Sequence, residues 1–205
     1  MSSTSQRARS GEAGAAADTR ERIVRSASRL FQRQGYEASG IKLIAREADA
    51  TLGSVYHFFP GGKEQLAVAA IRHGEEEFAD MLRAGLEGDA DAARAVEAFC
   101  GELATALRKS DWADGCPVTT TALETLGRVP AIQEACQGAL RCWQEVIADK
   151  LRRSGFAAEE AGELSATVLS TLEGAETLSQ IHRSEQPLRA AGRHLAVLLG
   201  AVHAE

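Results

Sequence analysis

Residues 39–63, SGIKLIAREADATLGSVYHFFPGGK, decide the fold. Ser39 can cap a short helix. Ile41, Ile44, Ala45 and Ala48 then recur at i, i+3, i+4 and i+7, the stripe of one helical face. Asp49-Ala50 makes a tight turn. Thr51 can cap another short helix through His57 or Phe58, with Val55 and Phe59 four apart on one side. Pro60-Gly61-Gly62 breaks the chain, and Lys63 opens a longer helix. Two short helices joined by a few turn residues, with a basic face, spell a helix-turn-helix. The first helix braces across the DNA backbone, and the second sets its N-terminal residues against base edges in the major groove. Backbone N–H groups and hydroxyls at helix starts can hold phosphates.

Upstream, Asp18 followed by Glu21 marks a helix start. Ile23, Ala27, Leu30 and Phe31 keep helical spacing, and Gly35 stops the helix. Arg22, Arg25, Arg29 and Arg33 form a separate stripe, read as a solvated face with one phosphate contact at most. Residues 1–17 are Ser, Ala, Gly, Arg and Glu without apolar period and are expected to form a disordered tail. The reader domain is placed at 18–63.

Downstream the pattern remains helical. Candidate helices run from about Lys63, then over 91–109, 117–127, 130–153, 159–183 and 187–203. Breaks fall at Gly88, Gly115, Pro130, Gly155 and Pro187. Aromatic residues make up 5% and no run alternates with period two, so strands are not expected. The expected fold class is all-α, with an N-terminal three-helix domain and a C-terminal helical domain over 64–205.

The 205 residues carry 23 Lys+Arg against 29 Asp+Glu, a net charge of −6 that would argue against nucleic acid. The charge is split, however. Residues 1–63 hold ten basic and six acidic side chains, for +4; residues 64–205 hold thirteen and twenty-three, for −10. Such asymmetry hints at a nucleic-acid surface on one segment. The 44% apolar content fills a real core. No uncharged apolar stretch is long enough for a membrane helix and no secretory signal is visible, so a cytoplasmic chain with no membrane partner is expected. Cys100, Cys116, Cys136 and Cys142 make no CxxC pair and no zinc-finger spacing with histidine. They are expected to be reduced thiols, with neither metal nor cofactor. Cys116 as a redox sensor is the lesser alternative, since no basic neighbour is adjacent to lower its pKa.

Residues 19–67 resemble the DNA-binding region of the TetR family of transcriptional regulators, through Ile23, Ala27, Leu30, Phe31, Gly35, Tyr36, Ile44, Ala45, Ala48, Tyr56, Phe59 and Lys63. The run Tyr56-His57-Phe58-Phe59-Pro60-Gly61-Gly62-Lys63-Glu64 resembles the LmrA/YxaF-like branch. So do Gly115-Cys116-Pro117-Val118 with Ala122-Leu123-Glu124, and Glu173-Gly174-Ala175 leading to Glu185-Gln186-Pro187-Leu188. The resemblance implies that Thr51, Leu52, Gly53 and Tyr56 face DNA while Ser39, Lys42, His57 and Lys63 touch phosphates. The chemistry agrees. Lys63 adds an ammonium to a helix start, Gly53 lets the backbone approach the groove, and Leu52 can meet a thymine methyl. The plainer alternatives are an exposed or half-buried apolar Leu52, a Tyr56 packed under its helix and a solvated His57. Two positions depart from the family pattern. Asp49 stands where the turn usually has glycine, which an aspartate in left-handed conformation can replace at modest cost. Gly40 stands where a serine or threonine is usual, leaving more to Ser39.

The resemblance also implies a homodimer and a C-terminal ligand domain. Leu172, Gly174, Ala175 and Leu178 on one late helix, with Leu195, Leu198, Leu199 and Val202 on the last, are the expected dimer interface of a four-helix bundle, with internal packing as the alternative. Phe99, Leu103, Leu107, Trp112, Cys116, Thr119, Thr120, Leu123, Trp143, Ile147 and Glu173 are the expected pocket, although each alone also reads as plain core. Glu173 and Glu176 interrupt an apolar helix, either as ligand acceptors or as surface or seam charges. The function expected is a dimeric repressor on a palindromic double-stranded DNA operator, released by a small lipophilic or aromatic effector. An enzyme is the first rival, but no HExxH, nucleophile elbow, P-loop or GxGxxG occurs. A protein-binding adaptor is the second, and the basic 1–63 segment argues against it.

Overall fold

A computed structural model describes residues 3–203, with side chains over 16–202. Among the described residues there are nine helices and no strand. They are α1 (Ser3–Ala38), α2 (Ile41–Glu47), α3 (Leu52–Phe58), α4 (Gly62–Glu87), α5 (Ala92–Lys109), α6 (Pro117–Thr125), α7 (Pro130–Arg153), α8 (Ala158–His182) and α9 (Gln186–His203). No helix is long and apolar enough to cross a membrane.

The helix α1 begins ahead of the expected start at Asp18; of the tail expected at 1–17, residues 1 and 2 lie outside the described residues. Gly35 breaks α1 at φ 81°, ψ 172°, and one further turn follows to Ala38. Only glycine takes that angle without strain, and the Glu124 carboxylate occupies the space a Cβ would need. Ile23, Ala27 and Phe31 from α1 meet Ile44, Ala45 and Ala48 from α2, Val55 and Phe59 around α3, and Leu66 from α4, all buried. At roughly 1.5–3 kcal/mol per large side chain buried, this small core holds the seven-residue helices α2 and α3, which could not stand alone.

In the second half α5 lies along α9, α4 along α7, and α7 along α8, while α6 bridges α1 and α7. The α5–α9 crossing is close because Gly192 has no side chain: a Cβ there would lie 2.8 Å from Cys100 Cβ. Proline opens α6 and α7 at their first turns, where its missing N–H costs nothing. The expected helix at 117–127 is shorter, ending at Thr125 because Leu126 turns extended.

Candidate nucleic-acid interface and ligand cavity

The turn between α2 and α3 takes the geometry the sequence implied. Asp49 sits at φ 48°, in the left-handed region, and its N–H closes on Arg46 O at 3.2 Å. Thr51 then caps α3, its Oγ1 accepting from the Ser54 N–H at 3.0 Å. A cap of this kind is worth about 1 kcal/mol. Val55 turns inward, so the opposite side of α3 is left to solvent. Thr51, Leu52, Gly53, Tyr56 and His57 are all exposed, Tyr56 to 52%. The packed alternative for Tyr56 is therefore not what the fold adopts, and the exposed Leu52 fits both readings of that residue. Lys42 and Arg46 are exposed on α2, and Arg46, at the same level, was not among the expected contacts.

Ser39 is a correction. It neither caps α2, whose N-cap is Gly40 with no side-chain bond, nor offers its hydroxyl to a phosphate. The side chain is fully buried. Its Oγ donates to Gly35 O at 2.6 Å and accepts from Gln34 Nε2 at 3.2 Å. The backbone opened at Gly35 needs a donor, and Ser39 supplies it.

Lys63 stands in the first turn of α4. Its ammonium lies 4.2 Å from the centre of the Tyr36 ring and donates to Glu37 O at 3.4 Å. Burial pulls its pKa below the usual lysine range, opposed by Glu37 and Glu124. The arginine stripe is largely structural. Arg22 reaches the α2 terminus, donating from Nε to Ala48 O at 3.2 Å, and pairs with Asp18. Arg25 pairs with Glu21, and Arg33 with Asp114 at 2.7 Å.

In the second half a cavity of about 330 Å³ opens between α1, α4, α5, α6, α7 and α8. Five of the expected residues line it: Leu103 and Leu107 from α5, Cys116 at the α6 cap, Trp143 from α7 and Glu173 from α8. The others do not. Phe99 and Ile147 are buried in the core, and Leu123 is 70% exposed. Thr120 turns back onto Cys116 O, and Trp112 holds a left-handed turn at φ 67°. Thr119 stands just behind the wall, its hydroxyl donating to Glu173 Oε2 at 2.6 Å. The sequence reading passed over Ser28 and Gln32 from α1, Gly74, Glu77, Phe78 and Met81 from α4, and Asp114 before α6. It named Glu176 but left it outside the pocket; it lines the cavity one turn from Glu173.

Cys116 Sγ and a carboxylate oxygen of Glu173 and of Glu176 lie within 4.8 Å of one another. Burial pushes all three groups up, Glu176 to about 8 with the Glu173 charge adding to it. A thiol held protonated by burial and by acidic neighbours is a poor redox sensor. Burial raises the other three thiols as well, Cys100 to about 12 and Cys136 to about 11.

The helix α6 links the two regions. Its first residue borders the cavity, and near its end the Glu124 carboxylate accepts the Glu37 N–H at 2.9 Å. Arg128 donates to Glu37 Oε1 at 2.8 Å and also bonds Glu124 O.

The expected dimer residues divide. Leu172, Ala175, Leu195 and Leu199 are buried within the protomer and belong to its own core. Their helical positions face α5 and α7, so their apolar character was spent inside. Gly174, Leu178 and Leu198 are exposed, and Val202 is half-buried against the core. Ile181 and Val197, each 70% exposed, join the outward face and were missed.

Residues 23–70 match the bacterial regulatory proteins of the tetR family, and residues 92–194 match the C-terminal domain of LmrA/YxaF-like transcriptional regulators. The HTH-type transcriptional regulator YxaF of Bacillus subtilis (strain 168) is 35% identical over 182 residues, covering 89% of this chain and 95% of that protein. The HTH-type transcriptional regulator LmrA of the same organism is 37% identical over 171 residues, covering 83% and 91%. A crystal structure of a TetR transcriptional regulator from Chloroflexus aurantiacus J-10-FL superposes with a TM-score of 0.75 at 26% identity, covering 90% of this chain and 96% of that one. The exposed α3 face, the left-handed turn before it and the shared helical body all agree with these likenesses: the chain belongs to the TetR family of transcriptional regulators, in its LmrA/YxaF-like branch, and is not an enzyme.

Proposed function

We propose that the chain is a ligand-responsive repressor of the cytoplasm. Residues 18–63 read DNA, and residues 64–205 sense a small lipophilic molecule and pair two copies. The outward faces of α8 and α9 (Gly174, Leu178, Ile181, Val197 and Leu198) meet their copies in a four-helix bundle. Two α3 helices then address half-sites one helical turn apart on a palindrome. Thr51, Leu52, Gly53 and Tyr56 read base edges, while Lys42, His57 and Lys63 hold phosphates.

The observation that carries the reading is the span of α6. One end borders the cavity and the other holds the kink in α1 just ahead of the reader helices. A molecule in the cavity that favours one α6 position shifts the separation of the two readers, by no more than its differential affinity for the two states. Gel shifts against DNA upstream of the chain's own gene test this, at several salt concentrations and with a library of small aromatic compounds. Binding that weakens steeply with salt and is released by one compound is expected. Salt-insensitive or absent binding would favour a protein-binding adaptor instead.

A further inference from the structure

Among the described residues the lining of the cavity carries four carboxylates, Glu77, Asp114, Glu173 and Glu176, and not one Lys, Arg or His. At the rim Asp114 is matched by Arg33 at 2.7 Å, and Glu77, 64% exposed, lies 3.3 Å from His73 Nε2. The inner two have no cation. Glu173 is held by the Thr119 hydroxyl at 2.6 Å. Glu176, on the same face of α8, is met only by the Cys116 backbone N–H and by the neighbouring Glu173 charge. Its half-buried carboxylate therefore borders the cavity and is paired with no base among the described residues. The other walls include Trp143, Phe78, Met81, Leu103 and Leu107, with Ser28 and Gln32 from α1 as neutral polar groups. The Phe78 and Trp143 rings meet at 4.6 Å between centroids, tilted by 58°, so the apolar side of the cavity presents aromatic rings and a thioether.

We propose that this cavity takes a lipophilic organic monocation, an aromatic amine or quaternary ammonium, whose positive centre seats against Glu176 and whose ring lies on Phe78 and Trp143. The proposal rests on the cavity being the effector site and names the class of effector. A lone carboxylate in an apolar chamber is costly unless a cation joins it, and aromatic faces favour a diffuse organic cation as well. A divalent metal suits the chamber less: its third ligand would be the Cys116 thiol, which burial keeps protonated and which already accepts the Thr119 N–H at 3.4 Å as the cap of α6. At about 330 Å³ the chamber lies at the small end of the roughly 300–1,000 Å³ typical of ligand pockets.

The groups facing Glu176 fix the sign of its pH response. Glu173 stands on its own helix, Cys116 on α6, Glu77 with His73 on α4, and Asp114 with Arg33 at the mouth. The inner acids and the thiol disfavour a bare carboxylate, and the rim acids already have partners. In the empty cavity Glu176 holds its proton up to about pH 8, so a permanent cation must displace that proton on binding. Affinity for the cation therefore rises as pH goes from 6 to 8 and then levels.

The test compares benzyltrimethylammonium with neopentylbenzene, its uncharged carbon isostere, on the full-length protein, following the emission of its two tryptophans. The cation is expected to bind at least about tenfold tighter, with proton release seen by calorimetry in two buffers of different ionisation heat. Glu176→Gln is expected to weaken the cation about tenfold or more while leaving the neutral isostere unchanged. Should that variant fold poorly, Glu173→Gln, which removes the neighbouring charge that helps hold the Glu176 proton, is expected to move the rise in cation affinity to lower pH. Equal binding of the two probes, preference for the neutral one, binding of neither, or a cation affinity indifferent to both substitutions overturns the proposal. Operator release is scored separately. Cation-selective binding that leaves the operator complex intact supports the proposal and removes the effector reading instead.

Discussion

The Lys63 ammonium rests 4.2 Å from the centre of the Tyr36 ring and donates to the Glu37 carbonyl at 3.4 Å, tying the first turn of α4 to the kink in α1. The same charge sits on the first turn of α4, so under the proposed function one cation would serve both the fold of the reader and a phosphate. Lys63→Ala should weaken operator binding about equally for all sequences and lower the salt slope by about one. Gel-shift titrations across a salt series check this, and unchanged affinity at moderate salt would count against the contact. Lys63→Arg, which keeps charge and ring contact, should retain most of the affinity.

Asp49 holds φ 48° with its carboxylate exposed beside the reader helix. A side chain in that region costs roughly 1–2 kcal/mol, less for aspartate than for most. It also places a negative charge near the duplex. Asp49→Gly should remove both effects, raising thermal stability slightly and preserving or strengthening operator affinity. A large loss of affinity would sink the idea that the turn merely tolerates aspartate.

Those two positions also mark how far the sequence could be read. The spacing of Ile41, Ile44, Ala45 and Ala48, and of Val55 with Phe59, is local, so the reader helices and their inward sides follow from periodicity, while the outward roles of Leu52 and Tyr56 rest on the family resemblance. Ser39 follows from neither, because its partner is a carbonyl freed by the Gly35 kink, and a serine ahead of a helix looks like a cap whichever way it turns. The cavity was half legible for a similar reason. Leu103 and Phe99 are both apolar residues one turn apart on α5, and only the crossing of α4 decides that one lines the chamber while the other fills the core. On α8 the small and apolar residues serve two faces at once, so Leu172 and Ala175 read as interface until their burial within the protomer is seen.

The outward face of α8 and α9 makes its own demand. Ile181 and Val197 are apolar and mostly exposed, yet contribute nothing to the protomer core. Ile181→Glu with Val197→Glu should leave the single chain folded, since both side chains already face water. Uncompensated charges buried across a seam cost several kcal/mol, so the pair should shift sedimentation to monomer at micromolar concentration and abolish palindrome binding. A double variant that still sediments as a dimer would move the interface elsewhere.

The bond from the Glu37 N–H to Glu124 predicts where coupling is lost. Glu124→Ala removes the 2.9 Å contact and empties the space beside Gly35. The ratio of operator affinities with and without a releasing compound should shrink several-fold, within the roughly 0.5–2 kcal/mol that single residues along such a path carry. Compound binding itself should be nearly unchanged, since Glu124 does not line the cavity. An unaltered ratio would show that α6 does not transmit the response through this contact.

Glu176 links the cavity to stability. Its pKa stands near 8 in the folded chain, raised by burial and by Glu173 above the ordinary value of 4.5. Between those values the folded chain retains a proton that the unfolded chain sheds, so stability falls as pH rises through that window and levels off above it. Glu176→Gln carries no charge to bury. It should match the parent near pH 4 and exceed it at pH 8.5, by on the order of 2–4 kcal/mol, or roughly 4–16 °C in melting temperature for a chain of this size. Thermal melts of both proteins at the two pH values decide it. A gain of equal size at pH 4 would assign the effect to repacking around Cys116, and the absence of any gain at pH 8.5 would mean that the carboxylate finds water or a partner within the cavity.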